Sequence, residues 1–124
     1  MEMKFYFCRH CGNIITYINN SGVKVICCGE EMKELKPNTV DVALEKHVPV
    51  VTKKGNKILV QVGRFPHPMT KEHYIEWIAL QTKQGKQRKF LKPNDKPEAC
   101  FSVCNGDEVQ KVFAYCNLHG LWKA

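Results

Sequence analysis

Helical periodicity is almost missing from this 124-residue sequence, and so is any long apolar run. Nothing approaches the roughly 20 consecutive apolar residues that a membrane-spanning helix needs. The opening stretch Met1-Glu2-Met3-Lys4-Phe5-Tyr6-Phe7-Cys8 has no long apolar segment and no small-residue cleavage signal. No export signal is therefore expected, and the cytoplasm is the expected compartment. Acidic residues are also short: 12 Asp and Glu face 19 Lys and Arg, leaving a formal charge of +7. A composition 44% hydrophobic and 25% charged excludes a disordered tail, a collagen-like repeat and a low-complexity linker. Cysteine is the exception to this list of shortages, with seven residues. In a reducing compartment such a count points to metal ligation rather than to disulfides.

What replaces helix is a series of short runs rich in β-branched and aromatic residues. They are Val40–Leu44, Ile58–Val62, Tyr74–Leu80 and Val112–Tyr115, separated by turn formers. Lys53-Lys54-Gly55-Asn56 reads as a hairpin turn between two Val/Ile-rich runs. The expected class is all-β, with a sandwich of the immunoglobulin-like kind. Strict alternation places Ile75, Trp77 and Ala79 on one face of their strand and Ile78 and Leu80 on the other. A strand apolar on both faces is central or lies at a subunit contact. A boundary is expected near Leu35-Lys36-Pro37-Asn38, making residues 1–36 one unit and 38–124 another. A piece as small as the first cannot hold a fold by its core alone and needs a metal, disulfides or a partner subunit.

The cysteines fall into two groups. Cys8-Arg9-His10-Cys11-Gly12 forms a C-x-x-C-G knuckle, and Cys27-Cys28-Gly29 follows it. Four thiolates in this arrangement fit a tetrahedral iron or zinc centre. Neighbouring strand residues point to opposite faces, so adjacent Cys27 and Cys28 can share one ion only through a local distortion. Such distortion changes little for zinc but perturbs the electronic states of iron. His10 is expected to be an exposed knuckle residue rather than a further donor.

Sulfur dominates the front of the chain and imidazole the back. His47 in Glu45-Lys46-His47-Val48-Pro49, His67 between Pro66 and Pro68, His73 before an apolar strand, and Cys116-Asn117-Leu118-His119-Gly120 each put a donor at a strand end or loop. The flanking prolines hold His67 extended and restrict its motion. Four imidazoles and one thiolate make five donors, one short of octahedral. Zinc prefers a closed tetrahedron, so this set favours iron with a vacancy for substrate. A thiolate opposite that vacancy pushes electron density through the metal, as an axial Cys does in haem enzymes.

These strings resemble those of the desulfoferrodoxins, the two-iron form of superoxide reductase. The resemblance rests on Cys8-x-x-Cys11-Gly12 with Cys27-Cys28, on Glu45-Lys46-His47-Val48-Pro49-Val50, and on His67-Pro68-Met69 with His73-Tyr74-Ile75-x-Trp77-Ile78. It is completed by Cys116-Asn117-Leu118-His119-Gly120-Leu121-Trp122-Lys123. It implies a desulforedoxin-like domain with a distorted Fe(SCys)4 centre on Cys8, Cys11, Cys27 and Cys28, followed by an immunoglobulin-like sandwich. In the sandwich it implies ferrous iron with His47, His67, His73 and His119 equatorial and Cys116 axial. Superoxide would take one electron there and leave, with two protons, as hydrogen peroxide. Glu45 would ligate the oxidised iron, Lys46 would attract superoxide, and a rubredoxin-like donor would restore the ferrous state. A homodimer is implied as well.

The basic charge suits an anionic substrate and an acidic donor. It can also signal nucleic acid, but the aromatics follow strand periodicity and build no stacking platform, so neither nucleic acid nor a membrane is expected as a partner. Two other readings stay open: an electron-transfer protein whose irons are both saturated, and a zinc-ribbon binding module. Cys100 and Cys104 belong to neither donor set, and their even spacing suggests free buried thiols on one face of a strand.

Overall fold

A computed structural model describes residues 2–124, which divide into two compact units, one ending at Lys36 and the other spanning Pro37–Ala124. The first is built from two-residue strands: β1 (Tyr6–Phe7), β2 (Ile14–Ile15), β3 (Ile26–Cys27), β4 (Glu30–Glu31) and β5 (Lys33–Glu34). Strands β2, β1 and β5 form one small antiparallel sheet, and β3 pairs with β4 as a hairpin. Among the described residues, its buried apolar ones are only Met3, Phe5, Cys8 and Met32. Ile18, Val23 and Ile26 stay exposed. So little core cannot offset the chain entropy of an ordered 36-residue unit.

The second unit carries a 3-10 turn at Leu44–Lys46 and seven strands: β6 (Pro49–Lys54), β7 (Lys57–Val62), β8 (Ile75–Thr82), β9 (Lys86–Phe90), β10 (Glu98–Ser102), β11 (Val109–Cys116) and β12 (Gly120–Lys123). They form two antiparallel sheets, ordered β10-β7-β6 and β12-β11-β8-β9. The expected hairpin joins β6 to β7, with Gly55 at φ +57° where a tight turn demands a left-handed residue. Ile58, Val60 and Val62 of β7 and Ala99 and Phe101 of β10 meet Ile75, Ile78 and Leu80 of β8 and Val112, Ala114 and Cys116 of β11 in one buried cluster. Alternation explains most of that list, since every second residue of β7 from Ile58, of β10 from Ala99 and of β11 from Val112 enters it.

Strand β8 departs from alternation. Ile75 joins Ile78 and Leu80 in the cluster, not Trp77 and Ala79. The cause is a bulge: Trp77 pairs with Tyr115 but Ile75 pairs with Cys116, so Glu76 is an extra residue opposite two consecutive positions of β11. Trp77 instead stacks nearly parallel on Tyr115, with centroids 5.5 Å apart. Strand β8 is central, as its two apolar faces require.

Two further expectations are corrected. Val40–Leu44 is not a strand: the Val42 amide bonds back to the Val40 carbonyl, 3.0 Å away, and the segment ends in the 3-10 turn. Its carbonyls are used for local turns, and Ala43 accepts from a histidine ring. Cys100 and Cys104 are exposed, not buried. Cys100 points outward from β10 between buried Ala99 and Phe101, while Cys104 lies beyond the end of that strand, so the two do not share a strand face.

One buried carboxylate ties the loops at the end of the second sheet. Asp107 accepts from the Thr82 hydroxyl at 2.7 Å and from the Gln84 and Glu108 amides at 3.0 and 2.9 Å. These donors, the Thr82 hydroxyl foremost, hold the Asp107 carboxyl below the usual range. A group depressed in the folded state stabilises above its unfolded pKa, and that contribution is lost as pH falls through the folded value. Asp107→Asn should therefore lower the melting temperature by several degrees at pH 7. The gap from wild type should close as pH drops below about 4, which calorimetric scans from pH 7 to pH 3 would show.

Candidate metal centres

In the first unit the sulfurs of Cys8, Cys11, Cys27 and Cys28 all lie within 4.8 Å of one another. The knuckle closes through the Gly12 amide on the Cys8 carbonyl at 2.9 Å and the Cys8 amide on the Asn13 carbonyl at 2.8 Å. Amides of Cys11 and His10 aimed at the Cys8 sulfur bring its thiol down to about 6. Cys28 goes the other way, to about 12, because hydrogen bonds with the sulfurs of Cys11, Cys8 and Cys27 favour its thiol form. Four such groups ionise together only around a metal ion, which is the chemistry of a tetrathiolate site.

The distortion that adjacent cysteines demand is visible in the backbone. Cys28 and Gly29 form the two-residue turn between β3 and β4, with φ of +54° and +73°. A turn of that hand needs left-handed residues at both central positions, and only Gly adopts one freely. Cys28 is held there without that freedom, and the turn brings its sulfur round to the side of Cys27. His10 does not join the sulfurs: its Nε2 lies 2.6 Å from Glu30, which also receives a two-pronged contact from Arg9 at 2.7 and 2.8 Å. Knuckle and hairpin are thereby clamped from outside, and the Arg9 guanidinium, followed by His10, holds the Glu30 carboxyl below its ordinary range.

The second centre gathers loops at the ends of both sheets. Ring centroids of His47–His67 and His67–His73 are 4.7 Å apart, and those of His73–His119 and His119–His47 are 5.0 Å apart. Across the ring His47 and His73 are 6.5 Å apart. Neighbouring rings stand at 77–85° to each other, so four imidazoles form a closed pinwheel. One ligand atom from each of His47, His67, His73 and Cys116 lies within 4.8 Å of the others. His119 is not in that set, but its Nδ1 is 3.2 Å from His47 Nε2 and 3.9 Å from the Cys116 sulfur.

Hydrogen bonds decide which nitrogen faces inward. The Nδ1–H of His47 donates to the Ala43 carbonyl at 2.7 Å and that of His67 to the Pro68 carbonyl at 2.6 Å. A carbonyl can only accept, so both rings carry their proton on Nδ1 and present a bare Nε2. The Nε2 atoms of His67 and His73 are buried without a hydrogen-bond partner. Orphaned polar atoms of this kind are expensive, and two of them beside a buried thiol fit a metal ion. Burial, the largest cause, lowers the pKa of His67 to about 4 and shifts His47 and His73 the same way, so the rings are neutral donors at pH 7. Burial pushes the Cys116 thiol up, against the opposing His119 and Leu118 amides.

Two supporting residues carried no signal of that role in the sequence. Asn117 was legible as a turn former, yet its carboxamide accepts from the Tyr74 amide at 3.0 Å and donates to the Glu72 carbonyl at 2.9 Å. It thus fastens the Cys116–His119 loop to both flanks of His73. Trp122, fully buried, stacks on His47 at 4.7 Å. Glu45 and Lys46 are exposed on the 3-10 turn immediately before His47.

The chain matches the family described as desulfoferrodoxin over residues 39–124, and the desulfoferrodoxin N-terminal domain over residues 1–35. It is 48% identical to the desulfoferrodoxin of Nitratidesulfovibrio vulgaris over 125 aligned positions, and 46% identical to that of Syntrophotalea carbinolica over 123. Each alignment covers 99% of this chain and 96% of the relative. The crystal structure of the superoxide reductase from Treponema pallidum superposes with a TM-score of 0.85 at 37% identity, covering 100% of this chain and 99% of that one.

Because the first unit has so few buried apolar residues, an ion held by its four cysteines would supply folding free energy. Chelating that ion should unfold residues 1–36 while the β signature of the sandwich and the loading of its own centre persist. Amide-resolved NMR of the chelated protein would report this, and a first unit that keeps its chemical-shift dispersion would contradict it.

Proposed function

This chain belongs to the desulfoferrodoxin family, and from that membership we propose that it is a superoxide reductase working at the pinwheel of His47, His67, His73 and His119 with Cys116. In this reading both centres hold iron, one on Cys8, Cys11, Cys27 and Cys28 and the other on the four imidazoles and the thiolate. Ferrous iron held by these last residues would supply the one electron that, with two protons, converts superoxide to hydrogen peroxide. The observation that carries the reading is the closed ring of four imidazoles next to a buried sulfur.

Each residue has a part that follows from where it stands. The Nδ1 hydrogen bonds of His47 and His67 fix their rings and hold their proton away from the donor nitrogen. Cys116, fully buried, sits on the core side and is screened from water and oxidants. Amides of His119 and Leu118 face its sulfur and temper its basicity. Lys46, exposed next to His47, presents a positive charge to an incoming anion. Glu45 on the same turn is available as a carboxylate donor once the electron has gone. A rubredoxin-like protein returns the electron, a homodimer is the working assembly, and the cytoplasm is the compartment. Among the described residues no helix is long and apolar enough to cross a membrane.

Anaerobic iron quantification with EPR before and after oxidation tests the assignment. Two irons per chain with distinct signals, one of them responsive to azide or cyanide, are expected. A colourless zinc protein, or a second iron indifferent to small anions, would refute it. Lys46→Ala should slow superoxide capture by about tenfold at low ionic strength and flatten its salt dependence. Pulse radiolysis across a salt series checks this, and rates equal to wild type at every salt would exclude a steering role.

A further inference from the structure

The turn that carries Glu45, Lys46 and His47 is braced by one side chain of its own, the His47 ring on the Ala43 carbonyl. Glu45 and Lys46 are exposed, and the turn has no side-chain cap. What lies against it is Gly63, just past the end of β7. A Cβ built on Gly63 would stand 2.7 Å from the Lys46 carbonyl carbon, 2.8 Å from the Glu45 carbonyl oxygen and 2.9 Å from the His47 nitrogen. All three are backbone atoms of the two peptide groups that link Glu45, Lys46 and His47, so none can swing aside as a side-chain tip would. The φ of Gly63 lies outside the left-handed region, unlike that of Gly120 at +79°. Glycine is required at 63 by space and not by dihedral angle.

Hydrogen bonds run along the same contact. The Phe65 amide donates to the Glu45 carbonyl at 2.9 Å, and the His67 amide donates to the Val62 carbonyl at 2.9 Å. The short stretch 62–67 therefore grips the turn of His47 on one side and anchors His67 on the other, and these two rings are adjacent corners of the pinwheel. We propose that Gly63 is the positioning residue for this turn. Its missing side chain lets the Glu45–His47 backbone seat against the loop, and that seat sets where Lys46 and Glu45 stand relative to the imidazole ring. The proposal rests on the reading of this centre as the superoxide site, and it concerns how the ring and its charged neighbours are placed.

The test uses the full-length, metal-loaded protein as wild type, Gly63→Ala and a control, Gly85→Ala. Gly85 has open space around its position and an ordinary φ, so its replacement should change nothing. Gly63→Ala should lower the superoxide rate constant about tenfold at low salt and flatten its ionic-strength dependence, because Lys46 is displaced. With cobalt(II) in the second centre its visible spectrum should shift, because His47 is displaced, while the tetrathiolate bands stay as in wild type. A lowered melting temperature with wild-type salt dependence and cobalt spectrum would overturn the inference and make Gly63 a packing residue only. If Gly63→Ala does not fold, Phe65→Pro decides, since it removes the amide that the Glu45 carbonyl accepts and adds nothing at Gly63. It should give the same two changes, and either wild-type behaviour or an unfolded chain in that variant overturns the inference. A wild-type protein inert to superoxide would sink the functional reading instead, leaving the cobalt spectra to judge the placement of His47.

Discussion

Bare imidazole nitrogens removed from water and given nothing to bond are the constraint on which the second unit turns. Leaving such a group unmade costs on the order of 1–3 kcal/mol, and His67 and His73 each bury one. The fold does not relieve them with protein donors. It turns the available hydrogen bonds outward, from Nδ1 of His47 and His67 to the carbonyls of Ala43 and Pro68, so that the bare nitrogens converge. Burial lowers the proton affinity of those rings and raises that of the Cys116 thiol. An ion that accepts nitrogen lone pairs and displaces a thiol proton satisfies all of them at once.

The same logic at smaller scale governs the first unit. There the buried apolar residues are too few to order the chain, and the sulfurs have proton affinities spread from about 6 at Cys8 to about 12 at Cys28. A cation removes that spread by taking every thiol as thiolate. The strained backbone of Cys28 is the geometric condition for two neighbours in sequence to face one ion. The Arg9, His10 and Glu30 cluster then braces the two ligand loops from the solvent side.

Which thiols and imidazoles gather was legible in the sequence because such residues at loop positions carry their chemistry in their types and spacing. The two-sheet architecture was legible because alternation and turn residues are local. What escaped was whatever depends on contacts made at a distance. The bulge at Glu76, which turns Ile75 toward Cys116, cannot be read from a strand that is apolar at every position. Val40–Leu44 has strand-forming residues but no ladder partner, and the tertiary requirement to deliver Ala43 to His47 wins over propensity. Cys100 alternates out of the core between Ala99 and Phe101, while Cys104 falls past the strand end, a boundary that spacing alone does not mark. Asn117, Trp122 and Gly63 were invisible in their roles because each acts on a segment remote in the chain.

The two donor sets differ in how much chain they enclose. The sulfurs are gathered from residues 8 to 28, whereas the imidazole ring draws on residues 47 to 119 and closes only when the last two strands of the sandwich are in register. Long loops are slow to close. On a chain synthesised from its N-terminus, the sulfur cage can capture its ion while the rest is still unmade. Three of the imidazoles precede those strands, but Cys116 and His119 arrive with them, so a passing ion finds the full donor set only in a finished sandwich. An ion held there would in that sense be a late guest, admitted by completed topology.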